Sequence, residues 1–181
     1  MKRILLSMLV MICFSISIFA QQEKNTFSIE PNLGLSVTNL THSDMDSKTG
    51  LLAGLYIQYQ LNKPLAIVSG IEYATYGAKD GTANLTLGFL EIPALIKCYV
   101  YKGLAFHTGL IGDINIHDGK TDFILPSDAK KFNVGLPIGA SYDFKHLSIR
   151  GQYIWGLSKV YDDFDYKNKG FQITLGYKFA L

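Results

Sequence analysis

Charge is scarce in this chain of 181 residues: Asp, Glu, Lys and Arg together supply 18%, where a soluble domain carries about 25%. Cysteine is nearly absent, with Cys13 and Cys98 alone. Cys13 lies inside an N-terminal apolar run, so the remainder has no intramolecular disulfide and its stability has to come from the fold. After Gln22 no stretch of about 18 apolar residues occurs, which excludes a membrane-spanning helix. No basic cluster is present to neutralise phosphates, so nucleic acid is excluded as a partner. Phosphate loops, zinc-spaced ligand sets and dinucleotide fingerprints are missing too, and no cofactor or metal is expected.

The N-terminus is apolar from Ile4 to Phe19, follows Lys2-Arg3, and reaches Ala20 before Gln21-Gln22. A positive start, a core too short for a span with its flanks, and a small residue at the end form a secretory signal. Residues 1–20 are therefore expected to be a signal peptide cleaved after Ala20, leaving residues 21–181 as one domain. Cys13 follows Ile12 rather than a small residue, which argues against a lipid anchor. Without Lys2 and Arg3 the 17 basic residues fall to 15, equal to the 15 acidic ones, so the exported domain is formally neutral.

Beyond the signal, apolar and polar residues alternate with period two, the mark of strands with two unlike faces. Eight such runs follow one another: Phe27–Val37, Leu51–Leu61, Leu65–Tyr73, Leu90–Val100, Leu104–Ile116, Val134–Phe144, Leu147–Leu157 and Phe171–Leu181. Their connections alternate in length. Asn62-Lys63-Pro64, Tyr101-Lys102-Gly103 and Lys145-His146 read as tight turns, whereas 39–50, 77–84, 117–132 and 159–169 read as long polar loops. Short connections at one end and long ones at the other predict an up-and-down antiparallel meander, closed so that no strand edge is left unpaired.

Two closed eight-stranded barrels fit this pattern, and they differ in which face is buried. A soluble lipocalin-like barrel, binding lipid in the periplasm, turns its apolar face inward; a membrane barrel turns it outward. The polar face carries Gly34, Gly54, Gly70, Gly109, Gly135, Gly139, Gly156 and Gly176, residues that weaken strands and suit a crowded interior rather than a wet surface. It also carries Glu30, Glu72, Glu91, Lys97, Asp113, Asp143, Arg150 and Lys178, read as a luminal polar network. The apolar face has Tyr59, Tyr73, Phe106, Phe144, Tyr153, Trp155, Tyr177 and Phe179 toward strand ends, as an interfacial girdle would. The fold expected is therefore all-β, an eight-stranded antiparallel up-and-down transmembrane β-barrel of a Gram-negative outer membrane.

Within the fourth run, LEIPALIKCY from Leu90 to Tyr99 resembles a recurring strand of the PorT-like outer-membrane β-barrel family, which belongs with the small OmpA/OmpX-type barrels. The last run, Gly170 to Leu181, is similar to the aromatic-alternating strand that barrel-assembly machinery reads, with Leu181 in place of the usual terminal aromatic and Tyr177 and Phe179 left to carry that role. The resemblance implies contact with outer-membrane lipid, assembly-machinery engagement during insertion, and a secretion-associated role.

Glu91 and Lys97 lie about 20 Å apart on one strand at ~3.3 Å per residue, too far to pair. Lys97 with Asp113, and Arg150 with Asp143 or Glu72, are the expected pairs. Pro93 and Pro137, on the luminal phase and without a donor N–H, are expected to mark bulges or bends.

Catalytic chemistry finds little support. His42 beside Ser43 and Asp44 has the residue types of a hydrolytic triad, but triads are assembled in space, not in sequence. His107 is expected to be a satisfied interior histidine with carboxylates near it, and His117 with Asp118 and Asp122 lacks a spaced ligand set. The last loop joins Tyr161, Asp162, Asp163, Phe164, Asp165 and Tyr166 into an acidic-aromatic surface, the candidate for contact with an unidentified protein partner. The expectation is a non-enzymatic structural or binding component acting through its extracellular loops; the alternative is the soluble lipid-binding barrel.

Overall fold

The structure is a computed structural model that describes residues 25–40, 46–80, 83–118, 132–158 and 168–181. The alternating runs form strands β1 (Phe27–Leu40), β2 (Asp46–Asn62), β3 (Leu65–Asp80), β4 (Ala83–Tyr101), β5 (Leu104–Asp118), β6 (Phe132–Phe144), β7 (Leu147–Gly156) and β8 (Asn168–Tyr177), with β9 (Phe179–Ala180) continuing β8 past Lys178. Each is antiparallel to its sequence neighbour, and β1 pairs with both β2 and β8. The sheet thus closes into a barrel of eight strands.

The tight turns match their residues. Lys102 and Gly103 have φ of 31° and 92°, two successive left-handed residues whose twist matches that of the flanking strands. A Cβ at Gly103 would lie 2.1 Å from the carbonyl oxygen of Asp143. The connection expected over 77–84 is shorter than the sequence suggested: β3 runs to Asp80 and β4 starts at Ala83. Pairing continues through Gly77↔Thr86 and Asp80↔Ala83, because in a two-strand extension the backbone ladder holds polar residues as well as apolar ones.

The prolines mark gaps rather than bulges. Along β3 and β4 the ladder stops at Ser69↔Ala94 and resumes at Glu72↔Glu91 in the same register, with Pro93 in the interval. Between β5 and β6 it stops at Thr108↔Ile138 and resumes at Ile111↔Gly135 around Pro137, whose carbonyl accepts from Thr108 Oγ1 at 2.9 Å. A missing N–H removes bonds to one neighbour only, so the ring leaves the count of residues per strand unchanged. Pro31 acts likewise on the closing seam. β1 pairs β8 from Asn32↔Gly176 upward and β9 at Ser28↔Ala180 and Ile29↔Phe179, and the break between β8 and β9 falls opposite Glu30-Pro31.

The two faces sort as the alternation requires. Leu33, Ile71, Ile96, Leu110, Ile149 and Leu175 are each more than half exposed, while Glu30, Glu72, Glu91, Lys97 and Arg150 are buried. A soluble barrel would show the reverse, and the lipocalin-like alternative is overturned. An apolar belt of this extent matches hydrocarbon, where the closed ladder satisfies every spanning strand without an open edge.

Candidate functional site

The lumen collects the chemistry-bearing residues of the described chain. Its turn-side half is organised around Asp143 on β6. Its carboxylate accepts from Lys97 Nζ at 2.9 and 3.1 Å, Lys178 Nζ at 2.5 Å, the Tyr99 hydroxyl at 2.6 Å and Ser148 Oγ at 2.9 Å. Arg150 donates to Glu30 Oε1 at 3.0 Å and lies over the Tyr56 ring at 4.3 Å. Lys178 adds Gln58 Oε1 at 3.0 Å and Glu30 Oε2 at 3.7 Å. These links join β1, β2, β4, β6, β7 and the β8–β9 junction, so they brace the wall across its interior.

The partners differ from those expected. Lys97 meets Asp143 rather than Asp113, and Arg150 meets Glu30 rather than Asp143 or Glu72. Lys97 on β4 reaches past β5 to β6 and Arg150 on β7 reaches past β8 to β1, because the interior of an eight-stranded barrel is narrow enough for long side chains to pass the adjacent strand. His107, expected among carboxylates, is held by an amide: its Nε2 lies 3.1 Å from Gln152 Oε1.

The loop-side half is of opposite character. Glu72 stands directly across from Glu91, and Glu91 across from Asp113. Neutral donors serve the first two: Tyr56 hydroxyl to Glu72 Oε2 at 2.5 Å, and Tyr76 hydroxyl with Gln172 Nε2 to Glu91. Gln152 donates to Gln172 Oε1 at 2.6 Å, extending a chain of side chains across the lumen from His107 to Glu91.

The interior is not wholly polar. Tyr56, Val68, Leu95, Ile111 and Ile154 form a buried apolar layer, and Leu52, Ala74, Tyr76 and Phe89 another. These residues occupy the luminal phase, where the alternation predicts mainly small and polar or charged ones. A run such as Val68-Ser69-Gly70 shows the signal: an apolar residue out of phase with its strand. Luminal glycines leave room for the large side chains. A Cβ at Gly70 would lie 2.6 Å from the Tyr56 ring, at Gly139 2.6 Å from His107 Nε2, and at Gly176 2.6 Å from Glu30 Oε1.

At the loop end of the lumen, between Thr38, Tyr76, Asp113, Asn133, Ile154 and Gln172, a cavity of about 20 Å³ remains, enough for one water. Among the described residues no three His, Cys, Asp or Glu side chains are grouped to hold a metal ion. Around the outside, aromatic pairs sit at both rims: Phe27 with Tyr59 and Tyr177 with Phe179 at the turn end, Tyr153 with Trp155 toward the loops. His42, Ser43, Asp44 and Asp122, and the residues Tyr161 to Tyr166, lie outside the described residues.

A closed antiparallel barrel of eight strands, apolar without and braced by charge within, is an integral membrane β-barrel. The family profile of the outer membrane protein beta-barrel domain matches residues 19–162, and the chain belongs to that family, in the outer membrane. It is similar in structure to Ail, the attachment invasion locus protein of Yersinia pestis, at 13% identity and a TM-score of 0.55, over 87% of this chain and 100% of that one. Neisserial surface protein A (NspA) is similar at 15% identity and a TM-score of 0.55, over 84% and 97%. At such identities the likeness is one of fold, that of the small OmpA/OmpX-type barrels. No curated protein matches the chain.

Proposed function

We propose that this outer-membrane barrel is a non-enzymatic structural or binding component that works through its loop end and passes no solute. The observation that carries the reading is the filled lumen: charged braces below, apolar layers within, and room for about one water at the loop end. The barrel then serves as a rigid base for the four loop connections, and Tyr161, Asp162, Asp163, Phe164, Asp165 and Tyr166 supply contact with a partner protein. Reconstitution in planar bilayers tests the first part, with no resolved conductance steps as the expected result and regular steps as the result against it. Crosslinking in intact outer membranes, with and without Ala at Tyr161, Phe164 and Tyr166, tests the second through loss of one specific crosslinked partner.

The LEIPALIKCY strand supports placing the chain in the PorT-like group, and hence a secretion-associated role; a deletion strain with unchanged export would remove it. Cleavage after Ala20 on export belongs to the same proposal, and an N-terminal Gln21 in the mature protein would register it. Tyr177 and Phe179, on the outer face beside the C-terminus, are proposed as the groups read by the barrel-assembly machinery.

A further inference from the structure

All three described turns carry an exposed lysine: Lys63, Lys102 and Lys145. Among the described residues the acidic side chains nearest this end, Glu30 and Asp143, point into the lumen and are taken by Arg150, Lys97 and Lys178, so neither of them compensates the turn lysines. Two of these lysines occupy backbone that does not favour them. Lys102 and Lys145 have φ of 31° and 53°, where Gly or Asn fits at lower cost. Their ammonium groups lie over the rings of Tyr101 at 5.4 Å and Phe144 at 5.7 Å.

Between these two turns is a concavity of about 520 Å³ lined by Tyr99, Lys102, Tyr142, Asp143, Phe144 and Lys145. Tyr142 and Phe144 belong to the lipid-facing phase of β6 and are about half exposed, so one wall continues the apolar belt while the rim carries two cations. We propose that this concavity binds the headgroup of an anionic phospholipid in the turn-end leaflet. The phosphodiester lies between Lys102 Nζ and Lys145 Nζ, and the glycerol and upper acyl chain follow Tyr142 and Phe144. The volume falls within the ~300–1,000 Å³ of small-ligand sites. Asp143 on the floor does not repel the phosphate, since its oxygens already hold two ammonium groups. Lys63 adds charge to the same leaflet from the neighbouring turn.

The test compares refolded protein in phosphatidylcholine vesicles with and without phosphatidylglycerol. A lysine near an anionic surface contributes about 1 kcal/mol, so the two together should raise the folding equilibrium constant about thirtyfold when phosphatidylglycerol is added. K102N/K145N, in which Asn keeps the left-handed turns, should fold in phosphatidylcholine yet lose that gain, and about 1 M salt should erase it in the unaltered protein. A full gain retained by K102N/K145N overturns the site. So does its loss in K169N at the loop end, or an equal gain from inorganic phosphate in phosphatidylcholine alone, which would mean a free anion rather than a lipid.

Discussion

Asp143 concentrates five hydrogen bonds from four side chains on one carboxylate, and Asp143→Asn removes its charge with almost no change of shape. Lys178 keeps Gln58 and Glu30 as acceptors. Lys97 is only about 1% exposed and, among the described residues, hydrogen-bonds to no other acceptor. The substitution therefore strands an ammonium group in the lumen, for which the expected cost is about 3–5 kcal/mol. Adding Lys97→Met removes the stranded charge, so K97M/D143N should recover about half of that loss instead of adding to it. Trp155, the single tryptophan, sits on the lipid face beside Tyr153 and reports unfolding by fluorescence in urea titrations of detergent-refolded protein. A D143N cost below about 1 kcal/mol, or a double variant whose loss equals the sum of the single ones, would refute the idea of a luminal ion network braced by this carboxylate.

Other outcomes follow from the two faces. Leu33→Arg, midway along β1 on the lipid face, should destabilise by about 2–4 kcal/mol, whereas Phe27→Arg at the turn end should cost about 0–1 kcal/mol; equal urea midpoints in vesicles would contradict the depth assignment. Gly139→Ala places a methyl group 2.4 Å from the Gly151 carbonyl oxygen and 2.6 Å from His107 Nε2, and should cost about 1–3 kcal/mol. Gly151→Ala on the outer face meets only the Phe171 ring at 3.6 Å and should stay within about 0.5 kcal/mol, a contrast readable from the same titrations. Gln172→Ala cuts the chain from His107 to Glu91 and should raise hydrogen exchange on β4 and β8 without opening a conductance in planar bilayers.

Much of the wall was legible in the sequence because a strand states its two faces locally. Phe27 to Val37 alternates without exception, and every odd residue of it lies outside. The turn at Lys102-Gly103 was equally local, since Gly103 supplies the left-handed φ the hairpin needs. The partners within the lumen were not legible. Arg150 and Glu30 are 120 residues apart and meet only because the barrel closes and its strands are staggered, quantities that no single segment encodes. The apolar luminal layer was hidden for another reason. Leu95 and Ile111 stand in phase with charged neighbours on their own strands, so period-two reading treats them as exceptions until Tyr56 and Val68 are brought beside them.

The seam between the first and last strands is built in two pieces, nine residue pairs from Asn32 to Leu40 and two more at Ser28 and Ile29, with Pro31 between. The short piece can fray by itself. Releasing Phe179 to Leu181 opens two pairs and the Leu181 N–H bond to the Phe27 carbonyl, leaves the long piece zipped, and frees the backbone edge of β1 at Ser28 and Ile29. The two-residue piece thus behaves as a latch: the barrel stays shut on its nine-pair seam when Phe179 and Ala180 lift away.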